Sequence, residues 1–322
     1  MPGPAEPAHT PAQSPDALPG ALPVDVHQHL WPEPLLEALR ARSAPPFLDG
    51  WTLHTATDAP STIDPADHDP ERRTAWLVEA GRTAVVSPSS PLGAEDLPLA
   101  ESARLLEATH EGLEHLGDRI GWWASLPREL VLGRVDEAQR MLADVLDRGA
   151  AGLQVPATWL ARPAEVAVLT PVLHALQEAD RPLFVHPGPP RGQVDAPGWW
   201  APVVDYTAQM AASWWAWHAG GRAALPQLRV CFAAGAGLAP VQHERLRARG
   251  GDSGPVDPLT FVELSSYGVQ AFDALMRSVG IDVLIAASDH PYATALELPR
   301  DPAAHHALHH TNPHRLLSGG TP

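Results

Sequence analysis

The chain has 322 residues, 44% hydrophobic and 19% charged, enough apolar material for a large core and too little charge for a disordered protein. Its 38 acidic against 22 basic residues give a net charge of −16, which argues against nucleic acid or an anionic membrane surface as the main partner. One cysteine, Cys231, excludes an internal disulfide and a cysteine-rich metal site, and no run reaches the ~18 apolar residues of a membrane span.

Residues 1–21 are rich in proline and alanine and lack the basic start and long apolar stretch of a signal peptide, so they read as a disordered tail on a soluble, cytoplasmic protein. Residues 22–322 then read as one domain. Short apolar runs at 22–27, 83–88, 120–126, 151–155, 182–186, 228–233, 260–265 and 282–288 predict eight strands. Between them lie segments such as 95–116, 133–149 and 164–180, with apolar residues three and four apart, which predict helices. Eight strand–helix units in about 300 residues fit a (β/α)8 TIM barrel better than an open doubly wound sheet. A long insert, roughly 30–82, follows the first strand, and a second, 187–200, follows the fifth. Both are placed on the barrel face where active sites form.

Every basic residue is Arg. The absence of Lys removes Schiff-base chemistry, a phosphate-loop lysine and a carbamylated-lysine bridge between two metals. No G-x-S-x-G occurs, and no G-x-G-x-x-G follows a strand. What remains is a set of strand ends. Side chains alternate along a strand, so His27 and His29 in "VDVHQH" share one face, with Asp25 expected on that face one layer deeper. "PLFVHPG" ends the fifth strand on His186, and "AASDHPY" ends the eighth on Asp289. Three imidazoles and a carboxylate at barrel-strand ends suit one divalent metal ion, expected to be Zn²⁺.

These stretches, together with the closing "NPHRLL" at 312–317, resemble the amidohydrolase-related metal-dependent family that includes aminocarboxymuconate-semialdehyde decarboxylase and γ-resorcylate decarboxylase. The resemblance covers residues 22 to about 317. It implies a (β/α)8 barrel in which His27, His29, His186 and Asp289 bind one catalytic metal. It also exposes a departure: family members commonly carry a His at the end of the sixth strand, where this chain has Ala234 in "VCFAAGAGLAP".

Metal-activated water attacking a small carboxylate- or lactone-bearing substrate is the first expectation, with Asp289 as catalytic proton carrier. Non-oxidative decarboxylation is the alternative, and a ligand-binding barrel without turnover is the third reading. Arg72 and Arg191, with Trp199 and Trp200, are the expected substrate-binding residues. Expected partners are a small molecule and a second copy of the chain in a homodimer, with no nucleic acid and no membrane. Cys231 is expected in the helix-facing layer, Ala234 at the pocket, and the histidines at 305, 306, 309 and 310 on a solvated helix face.

Overall fold

Eight short runs rich in Val, Ile, Leu and aromatic residues form strands buried on both faces, as an all-parallel sheet requires. In the computed structural model, which describes residues 22–190, 196–252, 254 and 256–319, these strands are Val24–His29, Thr83–Ser87, Ile120–Ala124, Gly152–Pro156, Leu183–His186, Val230–Phe232, Thr260–Glu263 and Leu284–Ile285. They pair in chain order, every pair parallel, with helices between them. The tail at 1–21 and Arg191 lie outside the described residues. No helix among the described residues is long and apolar enough to cross a membrane.

The barrel closes beyond the eighth strand. Asp289 donates its N–H to the His27 carbonyl at 2.9 Å, and His29 donates to the His290 carbonyl at 2.7 Å, so that His290 pairs in parallel with Gln28. The buried Asp25 carboxylate reinforces this seam. It accepts from the N–H groups of His27 and Ser288, each at 3.2 Å, and from Nε2 of Gln28 at 2.8 Å.

Two facing assignments read from strand alternation are corrected. The first strand bulges between Asp25 and Gln28, so Asp25 pairs with Ala84 while His29 pairs with Ser87, three residues on. Asp25 therefore faces away from the imidazoles and serves the seam. Cys231 pairs with Phe184, whose ring lies 5.1 Å from that of His27 inside the barrel. Its neighbour Phe232 packs 5.3 Å from Trp214 in the helix layer. Cys231 thus faces the interior, where burial pushes its thiol well above the usual range.

The insert after the first strand builds a subdomain. Helix Glu33–Arg40, a three-stranded antiparallel sheet (Phe47–Asp49, Thr52–His54, Ser61–Thr62) and helix Pro70–Glu79 follow one another. Trp31, Leu35, Leu39, Leu48 and Leu53 pack with Leu105 and Leu106 of helix Leu99–Leu113 into an apolar cluster of their own. Trp214 and Trp217 are core residues.

Asp25→Ala leaves three buried donors without an acceptor, each worth about 1–3 kcal/mol. The unfolding free energy should fall by about 3 kcal/mol or more in urea titration, and a fall below about 0.5 kcal/mol would show that the seam does not depend on this carboxylate.

Candidate metal centre

His27 and His29 enter the barrel interior from the end of the first strand, His186 from the last residue of the fifth, and Asp289 from the closing segment after the eighth. One ligand atom from each of these four lies within 4.8 Å of all the others. Nε2 of His27 is 3.2 Å from Nε2 of His29 and 3.4 Å from Asp289 Oδ1, and His29 Nε2 is 3.1 Å from that oxygen. The three imidazole rings meet edge to face, with centroids 4.9 to 5.1 Å apart.

The other nitrogen of each ring is already engaged. Nδ1–H of His27 donates to Glu263 Oε1 at 3.1 Å, that of His29 to the Ser87 carbonyl at 3.0 Å, and that of His186 to the Pro187 carbonyl at 2.8 Å. These acceptors fix the tautomer, so each Nε2 presents a lone pair. Three lone pairs and an anionic oxygen facing one another repel, and a divalent cation among them turns that repulsion into bonds. The separations among His27, His29 and Asp289, 3.1 to 3.4 Å, are close to the ~3.4 Å between donors on ~2.1 Å bonds, and His186 brings its ligand nitrogen within 4.8 Å of each. The residues fit a divalent metal.

Without a cation the same cluster favours a proton. Burial opposes charge on His27, but the Glu263 and Asp289 carboxylates outweigh it and raise the imidazole to about 9. Burial lowers His29 despite its bond to Asp289, and burial with the two neighbouring imidazoles pushes His186 well below the usual range. Burial would raise Asp289, but the imidazoles around it prevail and hold its carboxyl below the usual value. A charged His27 stands where the cation's charge belongs.

Glu263, the last residue of the seventh strand, was not singled out from the sequence. It is fully buried, and besides His27 its carboxylate accepts from the N–H and Oγ–H of Ser265, both at 2.8 Å, and from the Ala234 N–H. The available signal was an acid closing the apolar run "TFVE", at the same strand end that exposes His186 elsewhere.

Ala234 does border the site, though not by strand alternation. From Ala234 to Leu238 five successive residues hold φ between +48° and +60°, a left-handed turn that costs roughly 1–2 kcal/mol at each residue bearing a Cβ. Gly237 is required there, since a Cβ would stand 2.2 Å from the Thr207 carbonyl oxygen. The bond from Ala234 N–H to Glu263 anchors this turn to the ligand His27.

All three tyrosines of the chain gather around the centre. The Tyr292 ring lies 5.1 Å from His29. Tyr206 feels the charges of Asp289 and of Asp58 from the insert, and Tyr267 that of Glu263, while burial raises both phenols. From the insert, His68 stacks on Trp31 at 4.7 Å and accepts the Trp31 N–H on Nδ1 at 3.1 Å.

The structure does not bring Arg72 to the ligands. It is exposed on its helix, and its neighbour Arg73 is the one turned inward, donating to Gln28 Oε1 at 2.9 Å and to the carbonyls of His29 and Asp67. Trp199 and Trp200 are exposed, with rings 6.0 Å apart, just before the helical segment that carries Tyr206. The C-terminal histidines stack in the pairs His305 with His309 and His306 with His310.

Glu263→Gln keeps the shape at that position but removes the charge that polarises His27. Outer partners of metal-bound imidazoles typically contribute about 10–100-fold in affinity, so chelator competition should show a loss of that size while far-UV circular dichroism stays unchanged. Undiminished affinity would remove Glu263 from the centre.

No family model matches the chain, and no curated protein matches it in sequence. Solved structures do match in fold. 5-Carboxyvanillate decarboxylase from Sphingomonas paucimobilis aligns at 13% identity and TM-score 0.68, over 92% of this chain and 99% of that one. 2,6-Dihydroxybenzoate decarboxylase from Rhizobium aligns at 17% identity and TM-score 0.66, with the same coverage. The 5-carboxyvanillate decarboxylase of Novosphingobium aromaticivorans, complexed with manganese and 4-hydroxy-3-methoxy-5-nitrobenzoic acid, aligns at 16% identity and TM-score 0.67, over 92% and 96%. The likeness read from four short motifs therefore holds for the fold across most of the chain.

Proposed function

We propose that the chain is a metal-dependent, non-oxidative decarboxylase of a small aromatic or conjugated carboxylate. The observation that carries this reading is the convergence of His27, His29, His186 and Asp289 on one point, with every Nδ1 already bonded elsewhere. The decarboxylases among its structural neighbours support this chemistry over the hydrolysis first expected from the sequence. Zn²⁺ is the ion proposed from the imidazole-rich donor set, and the manganese-bound neighbour makes Mn²⁺ the competitor to test.

A bound divalent ion supplies positive charge that holds a substrate carboxylate and an adjacent oxygen in a fixed pose. The protein does the rest. The bonds from Nδ1 keep the three imidazoles oriented, with Nε2 toward the centre. Asp289 directs Oδ1 at His27 and His29, which leaves its second oxygen to carry a proton. From there the proton passes to the carbon bearing the carboxylate. The bond to the carboxylate then breaks, its electron pair returns to the conjugated system, CO₂ leaves, and solvent reprotonates Asp289. Ala234 offers no imidazole for this step, which concentrates the task on Asp289. Trp199 and Trp200 are proposed to face the substrate, and Arg191 keeps its proposed role as an anion binder.

Protein loaded with Zn²⁺ or Mn²⁺ should release CO₂ from a panel that includes 2,6-dihydroxybenzoate and 5-carboxyvanillate. Asp289→Asn should retain part of its metal and lose about 10²–10⁴-fold in turnover, the usual contribution of a proton carrier. Release of alcohol or acid from lactones with no CO₂ from any carboxylate would restore hydrolysis, and full activity in metal-loaded Asp289→Asn would end the role given to Asp289.

A further inference from the structure

The three imidazoles of the centre do not lean on equally firm supports. The Ser87 carbonyl that serves His29 is part of a strand, and the Glu263 carboxylate that serves His27 is anchored by the N–H and hydroxyl of Ser265 and the N–H of Ala234. Nδ1–H of His186 donates instead to the Pro187 carbonyl, 2.8 Å away in the loop that leaves the fifth strand. Three of the four residues at 187–190 are prolines, which have no N–H to donate. Gly188 supplies the one backbone donor of this stretch, so the stretch has little means of bracing itself.

It is braced from outside. Gln209, buried on helix Tyr206–Ala216, accepts the Gly188 N–H on Oε1 at 2.8 Å and donates from Nε2 to the Pro189 carbonyl at 3.0 Å. The Pro187 carbonyl and the Gly188 N–H are opposite ends of one planar peptide group. His186 grips one end and Gln209 the other, and each bond polarises the amide in favour of the other bond. Gly188 fits closely as well: a Cβ there would stand 2.8 Å from Thr158 Oγ1 and 3.1 Å from Cβ of Pro156, the residue of the fourth strand that pairs with His186. If this peptide turned, Nδ1 would lose its acceptor, and the imidazole would be free to rotate or change tautomer.

We propose that Gln209 is a positioning residue for His186, acting through the peptide between Pro187 and Gly188 to keep Nε2 turned toward the other three ligands. Its importance for metal binding rests on the centre proposed above.

The test uses the whole protein with Gln209→Met, which keeps length and bulk and removes both bonds, and Gln209→Glu, which keeps an acceptor for the Gly188 N–H. Far-UV circular dichroism checks that each folds. Zn²⁺ affinity in chelator competition should fall about 10–100-fold in Gln209→Met, the usual contribution of a group that orients a ligand, and should be largely restored in Gln209→Glu. With Co²⁺ in place of Zn²⁺, the visible absorption should shift in Gln209→Met, which a merely structural role would not cause. In a His186→Ala background Gln209→Met should cost less than about twofold, because the ligand it serves is already gone. In metal-free protein, ¹⁵N spectra of the imidazoles should show the His186 proton on Nδ1, and a mixture of tautomers after Gln209→Met. Unchanged Zn²⁺ affinity in Gln209→Met, or an equal loss with and without His186, would overturn the proposal. Should the wild-type protein take up no metal, the metal reading itself fails and the tautomer alone decides the clamp: an unaltered Nδ1–H in Gln209→Met would overturn it.

Discussion

The backbone hydrogen bond from Asp289 N–H to the His27 carbonyl joins the last strand of the barrel to the first. It therefore does two things at once. It closes the sheet, and it sets the Asp289 carboxylate, just beyond the eighth strand, beside the imidazoles of the first, 3.1 Å from His29 and 3.4 Å from His27. A centre built at this seam cannot be assembled before the barrel is complete, and metal bound there would stabilise the closed form by mass action. Asp25 belongs to the same arrangement, because its carboxylate bonds the N–H groups of His27 and Ser288 from the two sides of the seam.

Beside this seam the structure builds one flank without an imidazole. The sixth strand gives way to the left-handed turn at Ala234, a conformation that residues with a Cβ hold only when their surroundings impose it. Here Glu263 accepts the N–H of Ala234 and the Nδ1–H of His27 with one oxygen. The strain of the turn and the orientation of the candidate ligand His27 thus share an anchor. Small side chains at 234 and 236 leave this flank to Tyr267, whose ring stands 2.8 Å from where a Cβ on Gly235 would be.

Much of this was legible in the sequence because it depends on short-range patterns. Eight apolar runs with helical segments between them gave the barrel, and His27, His29, His186 and Asp289 stood out because each ends a strand. The two facing errors have one physical source. A one-residue bulge after Asp25 and a left-handed turn at Ala234 break the period-two rule; nothing at the bulge announces it, and Gly235 and Gly237 are the only residue types that hint at the turn. Asp25 and Cys231 were assigned to the wrong faces for that reason. On the helix Pro70–Glu79 the sequence does not tell which of two adjacent arginines turns inward; Arg73 does, toward Gln28 and the His29 carbonyl, and Arg72 stays exposed. Glu263 was missed because its importance arises from contacts with residues 29 and 236 positions away. Hydrolysis against decarboxylation was not legible at all, since a metal at these four residues would serve either chemistry.

The most direct test of the central claim is metal analysis of protein purified without chelator, joined to X-ray absorption at the edge of the metal found. One divalent ion per chain, coordinated by three imidazole nitrogens and a carboxylate oxygen and lost on His27→Ala with His29→Ala, is the expected result. Protein that carries no metal and takes none up, or an ion that survives those two substitutions with its coordination unchanged, would contradict it.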